Sequence, residues 1–144
     1  MTDALDDLLA ILTLDAVDGV DGDRFVGAGS GHTEFGLYGG HQLGQAVMAA
    51  RQTVEPERLL HSLHAYFLRA GDGEVAVQYE VDRVRDGRAF CSRDVTAAQN
   101  GKTIFRLTAS FHTPEEGNGL ISPEPPTGLA DPESLPSFAE CIAE

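Results

Sequence analysis

Four strand-length runs between residues 60 and 113, joined by tight turns, constrain this chain more than any other feature. Residues 60–69 alternate His61, Leu63, Ala65 and Phe67 with Ser62, His64, Tyr66 and Leu68, the two-residue period of an extended chain. Residues 74–85 place Val75, Val77, Tyr79 and Val81 on one face. Asp86-Gly87 then turns the chain into residues 88–99. Asn100-Gly101 turns it again into residues 102–113, which carry Ile104, Leu107, Ala109 and Phe111. An Asn-Gly pair readily takes the positive φ values of a two-residue hairpin, so these runs read as an antiparallel meander.

A helix is expected before the meander. Leu43, Ala46, Val47 and Ala50 form one stripe over residues 41–53, Gly44 and Ala49 allow close approach, and Pro56 prevents continuation. One helix covers one face of a sheet, so the other face calls for another layer or another subunit. Self-association through strand edges or faces is expected. Upstream, Thr2 or Asp3 caps a helix whose apolar positions are Leu5, Leu8, Leu9 and Leu12, with Asp6 and Asp7 in its first turn. Residues 15–23 are turn-rich, residues 24–27 read as a short strand, and glycines crowd residues 27–40.

A chain of 144 residues that is 42% hydrophobic suits one domain with a core of its own. It contains no run of the roughly 18–20 apolar residues that a spanning helix needs. Its first residues lack the positive stretch of a secretory signal. Cys91 and Cys141 form neither a disulfide framework nor a zinc pattern, so a reducing, cytoplasmic setting is expected, with no membrane partner. A net charge of −13 argues against nucleic acid. That acidity is uneven. Residues 1–23 hold seven Asp and residues 114–144 seven acids, with no Lys or Arg in either. Residues 24–113 hold all ten bases, nine of them Arg, against nine acids. An anionic small molecule can therefore dock on the middle section, where Arg grips phosphate through two nitrogens. Six of the seven prolines lie beyond residue 113. The division expected is a domain over residues 1–113 and an acidic, Pro/Gly-rich linker or tail over 114–144, with a short helical piece at 135–142.

Several chemistries find no support. Ser30 lies in Gly29-Ser30-Gly31, outside the Gly-x-Ser-x-Gly frame of a nucleophile elbow. No Gly-Lys-Ser/Thr occurs, and the acids of residues 15–23 miss the spacing of a calcium loop. Cys91 reads as a small buried hydrophobe. His61 and His64, three apart on a strand, are expected on opposite faces, which disfavours a shared zinc. Either alone is a base or a water-orienting group, or else a hydrogen-bonded strand histidine. His41 follows Gly39-Gly40 at the helix start. There, free N–H groups and the positive end of the dipole receive an anion or a carbonyl oxygen. The plainer alternative for His41 is an ordinary N-terminal residue of the helix.

Particular residues then match a family. Gly39-Gly40-His41-Gln42-Leu43-Gly44-Gln45-Ala46 resembles the Gly-Gly-Gln-x-x-Gly-Gln-Ala helix opening of the acyl-CoA thioesterase II family. The run from His61 through Phe67 to Asp72 resembles the strand His-Ser-x-His-x-Tyr-Phe-x-Arg-x-Gly-Asp that follows it. Arg85-Asp86-Gly87-Arg88-Ala89-Phe90, the segment from Gln99 to Phe105, and Ala109-Ser110-Phe111 complete a collinear set. The resemblance implies an α+β hotdog fold, an antiparallel sheet wrapped around one central helix, with an N-terminal helix and a Pro-rich tail. It covers the N-terminal of the family's two hotdog repeats. The family's hydrolytic Asp, Thr/Ser and Gln belong to the other repeat, and His41 stands where the family opening has Gln.

The resemblance implies hydrolysis of fatty acyl-CoA to free fatty acid and CoA, without a cofactor or metal. His41 and His64 are the expected catalytic residues. Gly39, Gly40, Gln42, His61, Arg69, Arg88 and Arg93 are the expected substrate contacts, the arginines for CoA phosphates. The alternative is a non-catalytic acyl-CoA-binding or assembly half. Either way the partner expected is a second hotdog repeat or a further copy of the chain.

Overall fold

The computed structural model describes residues 4–19, 22–31, 36–117 and 122–142. In chain order its elements are α1 (Ala4–Leu12), β1 (Leu14–Ala16), β2 (Asp23–Gly27), α2 (Gly39–Arg51), β3 (Leu59–Phe67), β4 (Val77–Asp86), β5 (Phe90–Gln99), β6 (Lys102–His112) and α3 (Phe138–Ile142). Thr2 and Asp3, the expected caps of α1, lie outside the described residues.

Every pairing is antiparallel, and the six described strands form one sheet in the order β1-β2-β4-β5-β6-β3. Asn100 and Gly101, at φ 50° and 72°, supply the two positive φ values that turn β5 into β6. α2 packs against every strand, so the sheet is wrapped around it. The core lies between them. Val77, Tyr79, Val81, Val95, Ala97, Phe105, Leu107, Ala109 and Phe111 meet the small residues Ala46, Ala49 and Ala50 of α2. Small side chains let the helix lie close to the sheet, and the close packing excludes water.

The structure moves several expected boundaries. α2 begins at Gly39, two residues before His41. β4 begins at Val77 because Gln99 pins the preceding turn, accepting from Asp72 N and donating to the carbonyls of Asp72 and Val75. α1 has the expected leucine spacing but buries none of its residues, and Leu5, Leu8 and Leu9 are more than half exposed.

The expected alternation of residues 60–69 fails at one point. A bulge between Leu60 and Ser62 leaves Leu60 opposite Phe111 while Ser62 pairs with Ser110. Leu63, Ala65 and Phe67 then share the inner face with Ala109, Leu107 and Phe105. The extra residue turns His61 outward, where its ring lies 5.5 Å from Phe90 and 5.9 Å from His112. His61 and His64 therefore occupy the same outer face, contrary to the strict alternation.

The outer face is polar. In-register rows across it bring together Glu80, Thr96 and Arg106, and Asp82, Asp94 and Thr108. Such a surface is compatible with water and demands no second layer. The apolar demand sits at the sheet's edge instead. β3 has a neighbour on one side only, and Leu59, Leu60, Leu63, Tyr66 and Phe67 are exposed along it. In the tail, a 3₁₀ turn at Pro132–Ser134 and the short α3 are the described regular elements, with Leu135, Phe138 and Ile142 exposed. Among the described residues no helix is long and apolar enough to cross a membrane.

Candidate active site at the mouth of the buried helix

Tyr38 leads into α2 in an extended conformation, and its side chain makes no cap hydrogen bond. The first helical bond runs from Gln42 N to Tyr38 O at 3.2 Å, so the amides ahead of it point out along the axis. Two aromatic rings account for the glycines here. A Cβ on Gly39 would stand 3.1 Å from the Phe67 ring, and one on Gly40 would stand 2.5 Å from the Tyr38 ring. The Gly-Gly pair lets both rings close on the first turn.

Beside this turn lies a cavity of about 380 Å³. Leu37, Phe67 and Leu68 give it apolar walls, while Gly39, Gln42 and Arg69 give it polar ones. The wall is held by backbone bonds, from Leu37 N to Gly71 O at 2.9 Å and from Leu68 N to Ile104 O at 2.9 Å. Arg69 is exposed at the rim, anchored by one guanidinium nitrogen on Thr103 O. Gln42 is 2% exposed, and its Nε2 has no hydrogen-bond partner among the described residues. A buried donor left unpaired costs about 1–3 kcal/mol, which an incoming oxygen recovers.

His41 is buried, with Nε2 at 2.9 Å from the carbonyl of Ala28. A carbonyl only accepts, so this nitrogen carries the hydrogen. Ala28 O also accepts from Gln45 Nε2 at 3.0 Å. Gln45 Oε1 in turn accepts from Tyr79 OH at 2.9 Å. Burial pushes the Tyr79 phenol far above its ordinary range, so it stays protonated and remains the donor.

The structure thus gathers Gly39, Gly40, His41, Gln42 and Arg69 around one helix end. The other expected residues lie elsewhere. His64 faces away from α2, in an outer depression of about 370 Å³ with Tyr66, Asp94 and Arg106. His61 lies edge-on to Phe90 near the opposite end of β3. Arg88 sits in the β4–β5 turn, which Arg58 ties to the chain beyond the C-terminal end of α2 by donating to Gly87 O at 2.7 Å. A 13-residue helix is about 20 Å long, so that turn is remote from Gly39. Arg93 corrects the expectation of a phosphate contact. It is 1% exposed and spends every guanidinium N–H on Thr53, Arg85, Ser92 and Asp86. An inward position on the central strand β5 is the cause.

Sequence reasoning missed Leu37, Phe67, Gln45 and Tyr79. Leu37 and Phe67 carry no chemical signature. Gln45 did leave a signal, being a polar residue one turn after His41 between the small residues Gly44 and Ala46.

Comparison with known proteins adds an independent line. Residues 29–112 match the family model described as acyl-CoA thioesterase N-terminal domain. Acyl-coenzyme A thioesterase 8 of Mus musculus is 43% identical over 104 residues, covering 69% of this chain and 32% of the mouse protein. Acyl-CoA thioesterase 2 of Haemophilus influenzae is 38% identical over 117 residues, covering 81% of this chain and 40% of its own length. Among solved structures, the acyl-CoA thioesterase II TesB2 of Mycobacterium marinum superposes with a TM-score of 0.75 at 36% identity, over 93% of this chain and 47% of that one. A hot dog fold protein from Alicyclobacillus acidocaldarius superposes with a TM-score of 0.71 at 25% identity, over 96% of this chain and 50% of that one. The chain spans about a third to a half of the length of these relatives.

Proposed function

The chain belongs to the acyl-CoA thioesterase N-terminal domain family, and from that premise we propose that it acts in the hydrolysis of fatty acyl-CoA to free fatty acid and CoA. The carrying observation is Gln42 Nε2, without a partner among the described residues and buried against a cavity at the start of α2. The thioester carbonyl enters that cavity and accepts from the first-turn amides and from Gln42. The helix dipole and these donors stabilise the negative charge that grows on the oxygen as water adds. His41 takes the proton of the attacking water. Leu37, Phe67 and Leu68 receive the first carbons of the acyl chain, and Arg69 at the rim faces the CoA phosphates.

The working unit proposed is a double hotdog, with residues 1–113 as one repeat and 114–144 as linker. Its second repeat pairs along β3, whose exposed leucines and unpaired backbone suit an added strand. The relatives' greater length supports the same reading. A cytoplasmic role in fatty acid metabolism fits two free cysteines, one buried and one exposed. A non-catalytic, acyl-CoA-binding half is the second reading, favoured by one observation. The described residues that line the cavity include neither a carboxylate nor His41 itself.

The test is CoA release, followed with a thiol reagent, from acyl-CoAs of several chain lengths. The chain is assayed alone and mixed with a separately produced C-terminal repeat, alongside His41→Ala and Gln42→Met. Release that falls at least about tenfold in both variants is the expected result. Equal release from both variants overturns the catalytic reading, and tight acyl-CoA binding without release replaces it with the second. Native mass measurement showing a strict monomer that ignores the added repeat overturns the pairing.

A further inference from the structure

Gln45 lies four residues after His41, on the same side of α2, and is fully buried. Its amide is completely used. Oε1 accepts from Tyr79 OH at 2.9 Å, while Nε2 donates to Ile11 O at 2.7 Å and to Ala28 O at 3.0 Å. Turning the amide over would press its oxygen against two carbonyl oxygens, so one orientation alone satisfies all three partners. Tyr79 is 1% exposed and locked between Phe25 and Ala97 on the neighbouring strands. The Ala28 carbonyl held by Gln45 is the one that accepts from His41 Nε2 at 2.9 Å.

We infer that Gln45 and Tyr79 are positioning residues for His41, which through the Ala28 carbonyl hold its neutral ring in the Nε2–H form and leave Nδ1 as the basic nitrogen. A neutral imidazole has one lone pair, and the hydrogen bond made by one nitrogen decides which carries it. This deepens the proposed hydrolysis and rests on it for the use to which His41 is put; the tautomer itself depends on no substrate. In that reaction a water O–H bond breaks, its proton goes to Nδ1, and its oxygen bonds to the thioester carbon. As the C–S bond then breaks, the imidazolium returns the proton to the departing thiolate, giving acid and thiol.

The experiment is imidazole ¹⁵N–¹H correlation spectroscopy of the full chain, labelled in its histidines, at neutral pH, with His41 assigned from the signals lost in His41→Gln. The expected ring shows a water-protected Nε2–H and an unprotonated Nδ1. Gln45→Met, which keeps the length but removes the amide, is expected to lose that protection and its Nε2–H signal. Tyr79→Phe is expected to weaken the same signal, and His61 and His64 to stay unchanged in both. A wild-type ring protonated at Nδ1 overturns the inference, as does a protected Nε2–H that survives both variants. Should Gln45→Met fail to fold, the wild-type ring and Tyr79→Phe still decide. Turnover is not read here, so undiminished hydrolysis by His41→Ala would overturn the catalytic reading and leave the tautomer standing.

Discussion

Arg93 and Thr53 are joined twice, with Arg93 Nε donating to Thr53 Oγ1 at 2.7 Å and Nη2 to the Thr53 carbonyl at 3.0 Å. The pair ties the chain just beyond α2 to the central strand β5, and Asp86 Oδ1 accepts from Nη2 at 2.6 Å. Arg93→Met strips the donors from the carbonyls of Thr53, Arg85 and Ser92 inside the protein. The expected loss is about 2–3 kcal/mol in urea unfolding, since half-exposed Asp86 is rehydrated. Arg93→Lys recovers only part of it, because one nitrogen cannot serve partners on three sides.

Gln42 makes a prediction of opposite sign. Its buried Nε2 has no partner among the described residues, so the native state carries the cost of that group. Gln42→Met is expected to raise stability by about 1 kcal/mol in urea unfolding while weakening acyl-CoA turnover. A variant that loses stability would mean the amide is satisfied within the fold.

Two glycines separate a backbone constraint from a side-chain one. A Cβ on Gly29 would run into the Gly73 carbonyl, where neither chain segment can yield cheaply. On Gly40 the obstacle is the exposed Tyr38 ring, which can swing aside. Gly29→Ala is therefore expected to cost more than about 2 kcal/mol, and Gly40→Ala less than about 1, by thermal or chemical unfolding.

Asp23 gives a pH-dependent term. Its carboxylate accepts from Arg83 Nε at 2.6 Å, and that bond holds its pKa below the ordinary 3.8. A folded-state pKa below the unfolded one stabilises above the unfolded value, and the gain is lost as pH falls through the folded value. Asp23→Asn is expected to cost less than about 1 kcal/mol near neutral pH, because the pair is partly exposed and screened. The difference from wild type should vanish as pH falls through the folded-state value, below 3.8.

Much of this architecture was legible in the residues themselves. The leucine spacing of α1, the stripe of α2, the alternation of β4 to β6 and the Asn100-Gly101 turn are properties of neighbouring residues. Local backbone geometry expresses them directly. Part of the site was legible for the same reason, since Gly39-Gly40-His41-Gln42 is a continuous segment at a helix start. His61 was misplaced because a bulge is a choice between two strands, made where Leu60 pairs with Phe111 and Ser62 with Ser110. Arg93 was misread because its charge suggested surface. Its neighbours Thr53 and Asp86 reach it from different parts of the chain.

The sequence by itself determined which segments are helix and strand, where the chain turns and where a helix end stands open. Tertiary structure alone decided that, among the described residues, Gln42 Nε2 is left without a partner while the Gln45 amide has three, that His41 is held through Ala28, and that β3 lies at the edge of the described sheet. Periodicity is set by φ and ψ within a few residues. Hydrogen bonds such as that between Gln45 and Tyr79, 34 positions apart, depend on how whole elements pack.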